Sequence, residues 1–508
     1  MPQIRSVTIL TAIFVLASFI LGIWGFILLD PQITFGDSIY QTIQLYPMNT
    51  SIRGILPIPL EIARFLAPFS LLLGVIATLL QLSRELLDNV LLSFANEHTI
   101  VVGLNEASVS LIQGALDEKR KVVVISRDFD SVWIPVIRER GAVCLIGDGA
   151  DLRLLERAGA QRASHLFAFS ESDGLNVEVV VALSDLLEVK KRAESGFLNC
   201  YVHFNNPAFQ QAFREHALIH NSSDRIEINL LNLNRIASRV MLEQYPLESK
   251  EPEGLCDKIS LVLFGFSAQG LAFLNHALRI GHYRTHEKLS VLIVASEVDR
   301  IKMVLNEQFP YLEKVAELKL VQATDASPVK LLEAFMETEP VSDRWHTLVC
   351  ASEGDEENFS LSQYLRGQLS AFNGRILCQI ASNRGLGSLL DRGSTDSRVY
   401  AFPVLADVAT WSHLVEHKLD ERARSIHQAY VGIERARGKT EADNRSLVSW
   451  HSLPDVFKEQ NRQQADHLSI KLRSIGVEMD QLPSRSELEV RLMESLESLA
   501  EMEHLRWN

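Results

Sequence analysis

SESDGLN at residues 170–176 and SEGDEEN at residues 352–358 decide how this chain is read. Each follows a short apolar run, HLFAF at 165–169 and TLVCA at 347–351, and both keep the spacing S-E-x-D-x-x-N. Working outward from the first, HTIVVGLNEASVSLIQGAL (98–116) reads as a buried strand, a tight turn and a helix. KVVVISRD (121–128), AVCLIGD (142–148) and FLNCYVHF (197–204) supply further strands, with helical stretches between them. Working outward from the second, KISLVLFGFSAQGLAFLNHAL (258–278), KLSVLIVASEVD (288–299) and RILCQIA (375–381) repeat the series. Strands that alternate with helices, and that are apolar throughout, belong to a parallel sheet covered on both faces. A tandem duplication of one α/β Rossmann-like unit is the economical account.

In such a sheet a ligand sits beyond the carboxyl ends of the strands, where the first turn and the next helix present free N–H groups. The dinucleotide fingerprint G-x-G-x-x-G places its glycines there. The first copy offers Gly103, Asn105 and Ser108 at those positions, and the second offers Gly265, Ser267 and Gly270. Small residues are kept, but Asn105 and Ser267 replace the glycine that lets backbone approach a pyrophosphate. The second strand of copy one ends in Ser126 and Arg127, where the fingerprint wants an acid for a ribose hydroxyl. Arg127 can pair with a phosphate or with the protein's own acids. Two readings stay open: a nucleotide site, or small residues that merely let turn and helix pack. On the second reading the Ser, Glu and Asp of the heptapeptide are helix caps and first-turn charges.

No nucleophile elbow, HExxH, Walker A motif or paired acids appear, and a copy of the first unit stands where a dehydrogenase needs a substrate domain. An enzyme is therefore not expected; a pyridine-nucleotide oxidoreductase is the alternative that predicts NAD(P)H turnover. The net charge of −14 argues against nucleic acid as a partner. The five cysteines are widely spaced without CxxC pairing, which indicates neither a disulfide framework nor a metal site.

The amino-terminal region differs. Residues 7–29 carry no charge, and residues 65–82 form a second uncharged run. Each suffices to cross a hydrocarbon core of roughly 30 Å, giving expected spans at about 7–29 and 63–82. The first run is too apolar in length for a cleaved signal, and no small-x-small site precedes Asp30. Arg5 before the first span and Arg84 after the second favour a multi-pass protein of the cell inner (plasma) membrane, with both termini cytoplasmic. Between the spans, GDSIYQTIQLYPMNTS (36–51) reads as a re-entrant segment.

Two helices, a pore-like segment and tandem Rossmann-like units resemble ligand-gated potassium channels that carry RCK domains, also called Trk-type NAD-binding domains. The match is strongest over residues 99–183, through IVVGLNEAS and IGDGADLRLLERAGAQRASHLFAFSESDGLNVEV (146–180), a stretch that contains Asp148. The resemblance implies NAD(H), NADP(H) or another nucleotide as ligand, rings of these units below a pore, and a homo-oligomer, tetrameric in relatives. It also sets a test. Potassium filters use glycines at positive φ to turn successive carbonyls toward the ion. Here Tyr46, Pro47, Met48, Asn49, Thr50 and Ser51 occupy that place; proline fixes φ negative, and Met and Thr resist positive values. A carbonyl-lined potassium filter is not expected. A less selective pore would draw on Gln44, Tyr46, Asn49 and Thr50; a non-conducting cap is the other reading.

From about residue 419 the βα pattern stops. ERARSIHQAYVGIERARGK (421–439) and SLVSWHSLPDVFKEQNRQQADHLSIKLRSIG (446–476) resemble the RyR repeat, a small helical module named for ryanodine receptors. Its matching elements include Ile426-His427, Trp450, Leu453-Pro454 and Asn461-Arg462. The resemblance makes His427, Tyr430 and Trp450 ligand candidates, against a reading of His427 and Trp450 as core residues of a contact domain. LAEMEHLRWN (499–508) resembles the opening helix of a further repeat, so a longer native protein is expected.

The domains read as 1–95 (pore-like), 96–250 and 251–418 (RCK-like) and 419–508 (RyR-like). The function read from them is a membrane protein in which a small nucleotide-type ligand gates a two-helix pore. The alternative is a membrane-anchored nucleotide sensor or scaffold that does not conduct. Residues 83–97, with helical periodicity and no Gly or Pro, would be a stiff lever between pore and ligand-binding units.

Overall fold

The structure is a computed structural model. It describes residues 2–49, 54–93, 95–189, 197–214, 225–248, 258–283, 288–323, 325, 327–339, 344–369, 373–381, 385–392, 398–402, 405–450 and 452–507. Two six-stranded parallel sheets dominate it. The first holds β1 (Thr99–Val102), β2 (Val122–Ser126), β3 (Val143–Ile146), β4 (His165–Ala168), β5 (Leu198–His203) and β6 (Ile226–Leu231), in the order β3-β2-β1-β4-β5-β6. The second holds β7 (Ile259–Phe264), β8 (Leu289–Ala295), β9 (Ala316–Gln322), β10 (Trp345–Cys350), β11 (Gly374–Cys378) and β12 (Val399–Ala401), in the order β12-β11-β10-β7-β8-β9. Numbered within its own copy, each sheet runs 3-2-1-4-5-6, the order of a doubly wound dinucleotide fold. The central strands are buried on both faces: every residue of β1, β2 and β8 is buried.

Two segments cross between the units. The helix Leu233–Gln244, which follows β6, gives Leu233 and Ala237 to the first unit's core and Met241 and Leu242 to the second's. Residues 405–415, which follow β12, return to the first unit, where Val408, Ala409, Trp411 and Leu414 pack with Val101, Leu111, Phe167 and Tyr201. Trp411 is held there by the edge of His165, at 4.9 Å between ring centroids, and by the Arg120 guanidinium, 3.8 Å from its ring centre. Counting this stretch with the second unit follows chain order, whereas the burial of a tryptophan ties it to the first.

The C-terminal region is helical, with Glu421–Ala436, Asp455–Ser474, Arg485–Glu494 and Leu496–Trp507. Ile470 and Met502 enter the second unit's core, so these helices lie against it.

At the other end stand the helices Pro2–Leu29, Phe35–Leu45 and Ile58–Ser93. Within the first and third, Thr11–Leu29 and Ile58–Ile76 are long and apolar enough to cross a membrane by length and composition. The third begins at Ile58, five residues before the 63 expected, because the Pro57 carbonyl accepts the amides of Leu60 and Glu61 and opens the first turn there. Small residues let the three helices touch. A Cβ on Gly22 would stand 2.5 Å from Thr42 Cγ2, and one on Gly25 would stand 2.6 Å from the Leu60 nitrogen. One on Gly74 would meet Thr11 Cγ2 at an ordinary 3.7 Å.

The third helix runs 36 residues without interruption through Pro68, roughly 54 Å at about 1.5 Å per residue. Its end is fastened to the first Rossmann unit. Arg162, in the turn before β4, donates from Nη2 to the Leu92 carbonyl (2.9 Å) and from Nε to the Ala95 carbonyl (3.1 Å). Leu92 stands in the last turn of the helix and Ala95 just past it, and a cation suits the negative end of the helix dipole. The Glu97 amide donates to the Arg162 carbonyl, the Ser164 hydroxyl donates to the Glu97 carbonyl, and Leu92 is buried in the unit's core.

Candidate functional site

The repeated heptapeptide folds into the same brace in both copies. In the first, the Asn176 side chain accepts from the Ser170 amide (2.8 Å) and donates to the carbonyls of Ser170 (3.1 Å) and His203 (2.9 Å). In the second, Asn358 accepts from the Ser352 amide (2.8 Å) and donates to its carbonyl (2.9 Å). The aspartates match as well: Asp173 accepts the amides of Asn205 and Asn206, and Asp355 accepts the amide of Ala381. Each Asn closes the loop after the fourth strand, and each Asp ties that loop to the end of the fifth. This differs from simple helix capping, because the asparagines, fully buried in both copies, carry the structure.

The brace sets one wall of the crevice at the switch point between the first and fourth strands. In copy one Gly103 takes φ +96°, and a Cβ there would lie 2.6 Å from the Ser170 amide nitrogen, so only glycine lets the turn pass the brace. Asn105 caps the helix Glu106–Asp117 by accepting from the Ser108 amide at 2.9 Å, while the Ser108 hydroxyl accepts from the Asn105 amide at 2.9 Å. The Asn105 side chain also donates to the Phe169 carbonyl at 2.7 Å. The polar atoms of Asn105 and Ser108 are thus engaged with the protein itself. Above them, Arg127 at the end of β2 donates to Asp148 after β3 at 2.6 Å. The Ala150 amide and Arg127 hold the Asp148 carboxyl below its usual range. Of the two partners open to Arg127 on sequence, the carboxylate is the one met in this structure.

Copy two is tighter. Gly265 takes φ +83° against Ser352, and a Cβ on Gly270 would stand 2.9 Å from Ala351 Cβ. The Ser267 hydroxyl accepts from the Gly270 amide and donates to Gln379 Oε1 at 2.5 Å, spanning from the β7 turn to the end of β11. Copy one has no such bond among the described residues. Glu297, two residues past β8 as Asp128 is two past β2, pairs with Arg300 at 3.1 Å. Sequence reading missed Glu297 and Gln379, although SEVD and CQIA carry both, because neither falls on a glycine position.

In the membrane-side segment the Tyr46 hydroxyl lies 2.9 Å from Ser18 Oγ and donates to the Val15 carbonyl at 3.0 Å, pinning the short helix to the first long one. Gln44 is half-buried and its carbonyl accepts the Asn49 amide; Asn49 is exposed, and Thr50 lies outside the described residues. Met48 takes φ +58°, against the expectation that it resists positive values. The reason is local. The Met48 amide donates to Leu45 O and the Asn49 amide to Gln44 O, a Schellman end in which Met48 stands at the left-handed position that glycine usually fills. A single left-handed cap does not present a row of carbonyls.

In the C-terminal helices His427 is buried, with Nε2 2.9 Å from the Val448 carbonyl, and its ring meets the Trp450 ring edge-on at 6.0 Å. The exposed Tyr430 hydroxyl accepts from Asn444. Trp450 alone of these three is among the described residues that line the cavity between this region and β6.

Comparison with known proteins adds the following. Residues 99–220 match the family model of the TrkA-N domain. No curated protein shows a significant sequence match to the chain. Among solved structures, GsuK bound to ADP is similar at 14% identity and a TM-score of 0.43, over 81% of this chain and 97% of that one. The GsuK channel bound to NAD is similar at 12% identity and 0.42, over 82% and 85%. The human SLO3 gating ring is similar at 8% identity and 0.43, over 64% and 84%.

Proposed function

We propose that this chain is a channel-like membrane protein whose tandem Rossmann-like units sense a nucleotide-type ligand and bias a two-helix pore. The observation that carries the reading is the unbroken helix Ile58–Ser93, fastened at its end to the first Rossmann unit by Arg162 and Leu92. A ligand that prefers one arrangement of the units shifts a gate only by its differential affinity for the two states. A rigid joint is what lets that preference reach the membrane. The TrkA-N match over 99–220 supports a nucleotide as ligand, with NAD(H) and NADP(H) as the first to try and the crevice of copy one, which that match covers, as the place. The reading places both termini in the cytoplasm and the working form in a homo-oligomer, with the tetramer as the first stoichiometry to test. Potassium selectivity is no part of it, since the described tip offers one left-handed residue and turns Tyr46 inward.

The test is bilayer recording of the purified full chain with a nucleotide panel, paired with thermal-shift measurement, in which a bound ligand raises the transition with its saturation. Ohmic, nucleotide-dependent currents with a matching stabilisation support the proposal. A stable oligomer that binds nucleotide and never conducts favours the non-conducting sensor, and turnover of NAD(P)H would revive the oxidoreductase.

A further inference from the structure

Between the first Rossmann unit and the C-terminal helices lies a cavity of about 580 Å³, within the range of about 300–1,000 Å³ usual for small-molecule sites. One wall is β6, an edge strand whose outer side has no neighbour in the sheet. The lining side chains are strongly basic. Arg214, Arg235, Arg239, Arg424, Lys458 and Arg462 face the cavity, while the described carboxylates on it are Glu227, Asp420 and Glu459. This surplus of positive charge stands in a chain whose net charge is −14.

Two of the acids are already engaged. Asp420 takes Arg239 at 3.1 Å and Arg462 at 2.7 Å, and Glu459 takes Arg235 and Arg279 at 3.0 Å each. Two cations are left short. Among the described residues Nε of Arg214 and Nε of Arg424 are buried with no hydrogen-bond partner, and Arg424 makes there a long 3.4 Å contact from Nη2 to the Glu416 carbonyl. A buried guanidinium N–H without an acceptor is costly, and native proteins keep few. Trp450 adds an aromatic surface to the same wall, with the Arg462 guanidinium 5.9 Å from its ring centre.

We propose that this cavity binds a small phosphate-bearing anion of two or more charges, held by Arg214 and Arg424 and flanked by Trp450. Planar guanidinium forks suit phosphate oxygens, and the unpaired edge of β6 offers further donors. The site lies outside the Rossmann crevices and does not depend on whether the membrane helices conduct. Its walls come from both bodies: Arg214, Arg235 and β6 from the first unit, Trp450, Lys458 and Arg462 from the C-terminal region. Occupancy therefore clamps the C-terminal region to the first unit. The helix Asp455–Ser474 would transmit that clamp, because Glu459 pairs with Arg235 of the first unit and Arg279 of the second.

The test uses the full chain in detergent, with calorimetry and thermal shift against pyrophosphate, ATP, citrate and uncharged adenosine. Three proteins are compared: wild type, R214Q/R424Q and the crevice variant R127E. The double substitution leaves the Asp420 and Glu459 ion pairs in place, so its baseline melting temperature should not fall. Pyrophosphate should bind wild type and R127E alike and R214Q/R424Q at least about tenfold more weakly, with no response to adenosine; ATP, which the Rossmann crevice can also take, should lose only part of its binding in R214Q/R424Q. Equal binding by wild type and the folded double variant, or loss in R127E instead, would overturn the assignment. Binding by none of the phosphate probes would do the same, and citrate binding as tightly as pyrophosphate would overturn the phosphate class.

Discussion

Replacing Arg162 with leucine tests the joint between the helix and the first Rossmann unit directly. The guanidinium makes two bonds at the helix end, to the carbonyl of Leu92 in the last turn at 2.9 Å and to that of Ala95 just past it at 3.1 Å. Bonds to a charged group are each worth about 1.5–3 kcal/mol net, and the helix-end dipole adds about 0.3–1 kcal/mol. Arg162 is half-exposed, so solvent screening reduces the sum to about 2 kcal/mol. That is roughly thirtyfold in the opening equilibrium of the joint, and it matches the whole of a typical coupling energy of about 1–3 kcal/mol. Hydrogen exchange on the full chain should show faster exchange of the Ala95 and Glu97 amides, which bond to Leu92 O and Arg162 O. Arg162→Lys, able to reach one carbonyl at a time, should fall between. Nucleotide binding should survive R162L, since the crevice is untouched, while ligand-dependent current falls. Unchanged exchange at these amides, or undiminished gating with normal binding, would refute the argument.

Other expectations follow from single contacts. Met48→Gly should raise the melting temperature slightly, because a left-handed L-residue costs roughly 1–2 kcal/mol, part of which glycine returns as backbone entropy, whereas Met48→Val should lower it. Asn176→Ala should destabilise by about 2–4 kcal/mol and Asn358→Ala by less, read from chemical denaturation, since the first also leaves the His203 carbonyl unpaired. Acid should loosen the fold through His276, whose burial pushes it down to about 4, amid Asp466, Glu459, Arg239 and Arg279. Its folded pKa lies below the unfolded one, so its stabilisation is complete above about pH 6.5 and is lost as pH falls toward 4, on the order of 3 kcal/mol in all. Melting temperature against pH should be flatter in His276→Asn than in wild type; parallel curves would show that another group governs the acid limb.

How much of this was readable in advance depended on range. The apolar runs at 7–29 and 65–82, the continuous strands and the repeated S-E-x-D-x-x-N are local, since burial and tight turns act on neighbouring residues. They determined two long apolar helices, two sheets of one topology and a helical C-terminal region. The heptapeptide marked the site's wall, but not that its asparagine would be the brace, because His203 lies 27 residues from Asn176. Tertiary structure alone decided the rest. Arg162 meets a helix end 67 and 70 residues earlier, Trp411 and its neighbours return past the second unit to the first unit's core, and Arg214 joins Arg424 around one cavity. Side-chain reach and the burial of charge and aromatic surface act between groups brought together by chain crossing, and no local pattern in the sequence records which groups those will be.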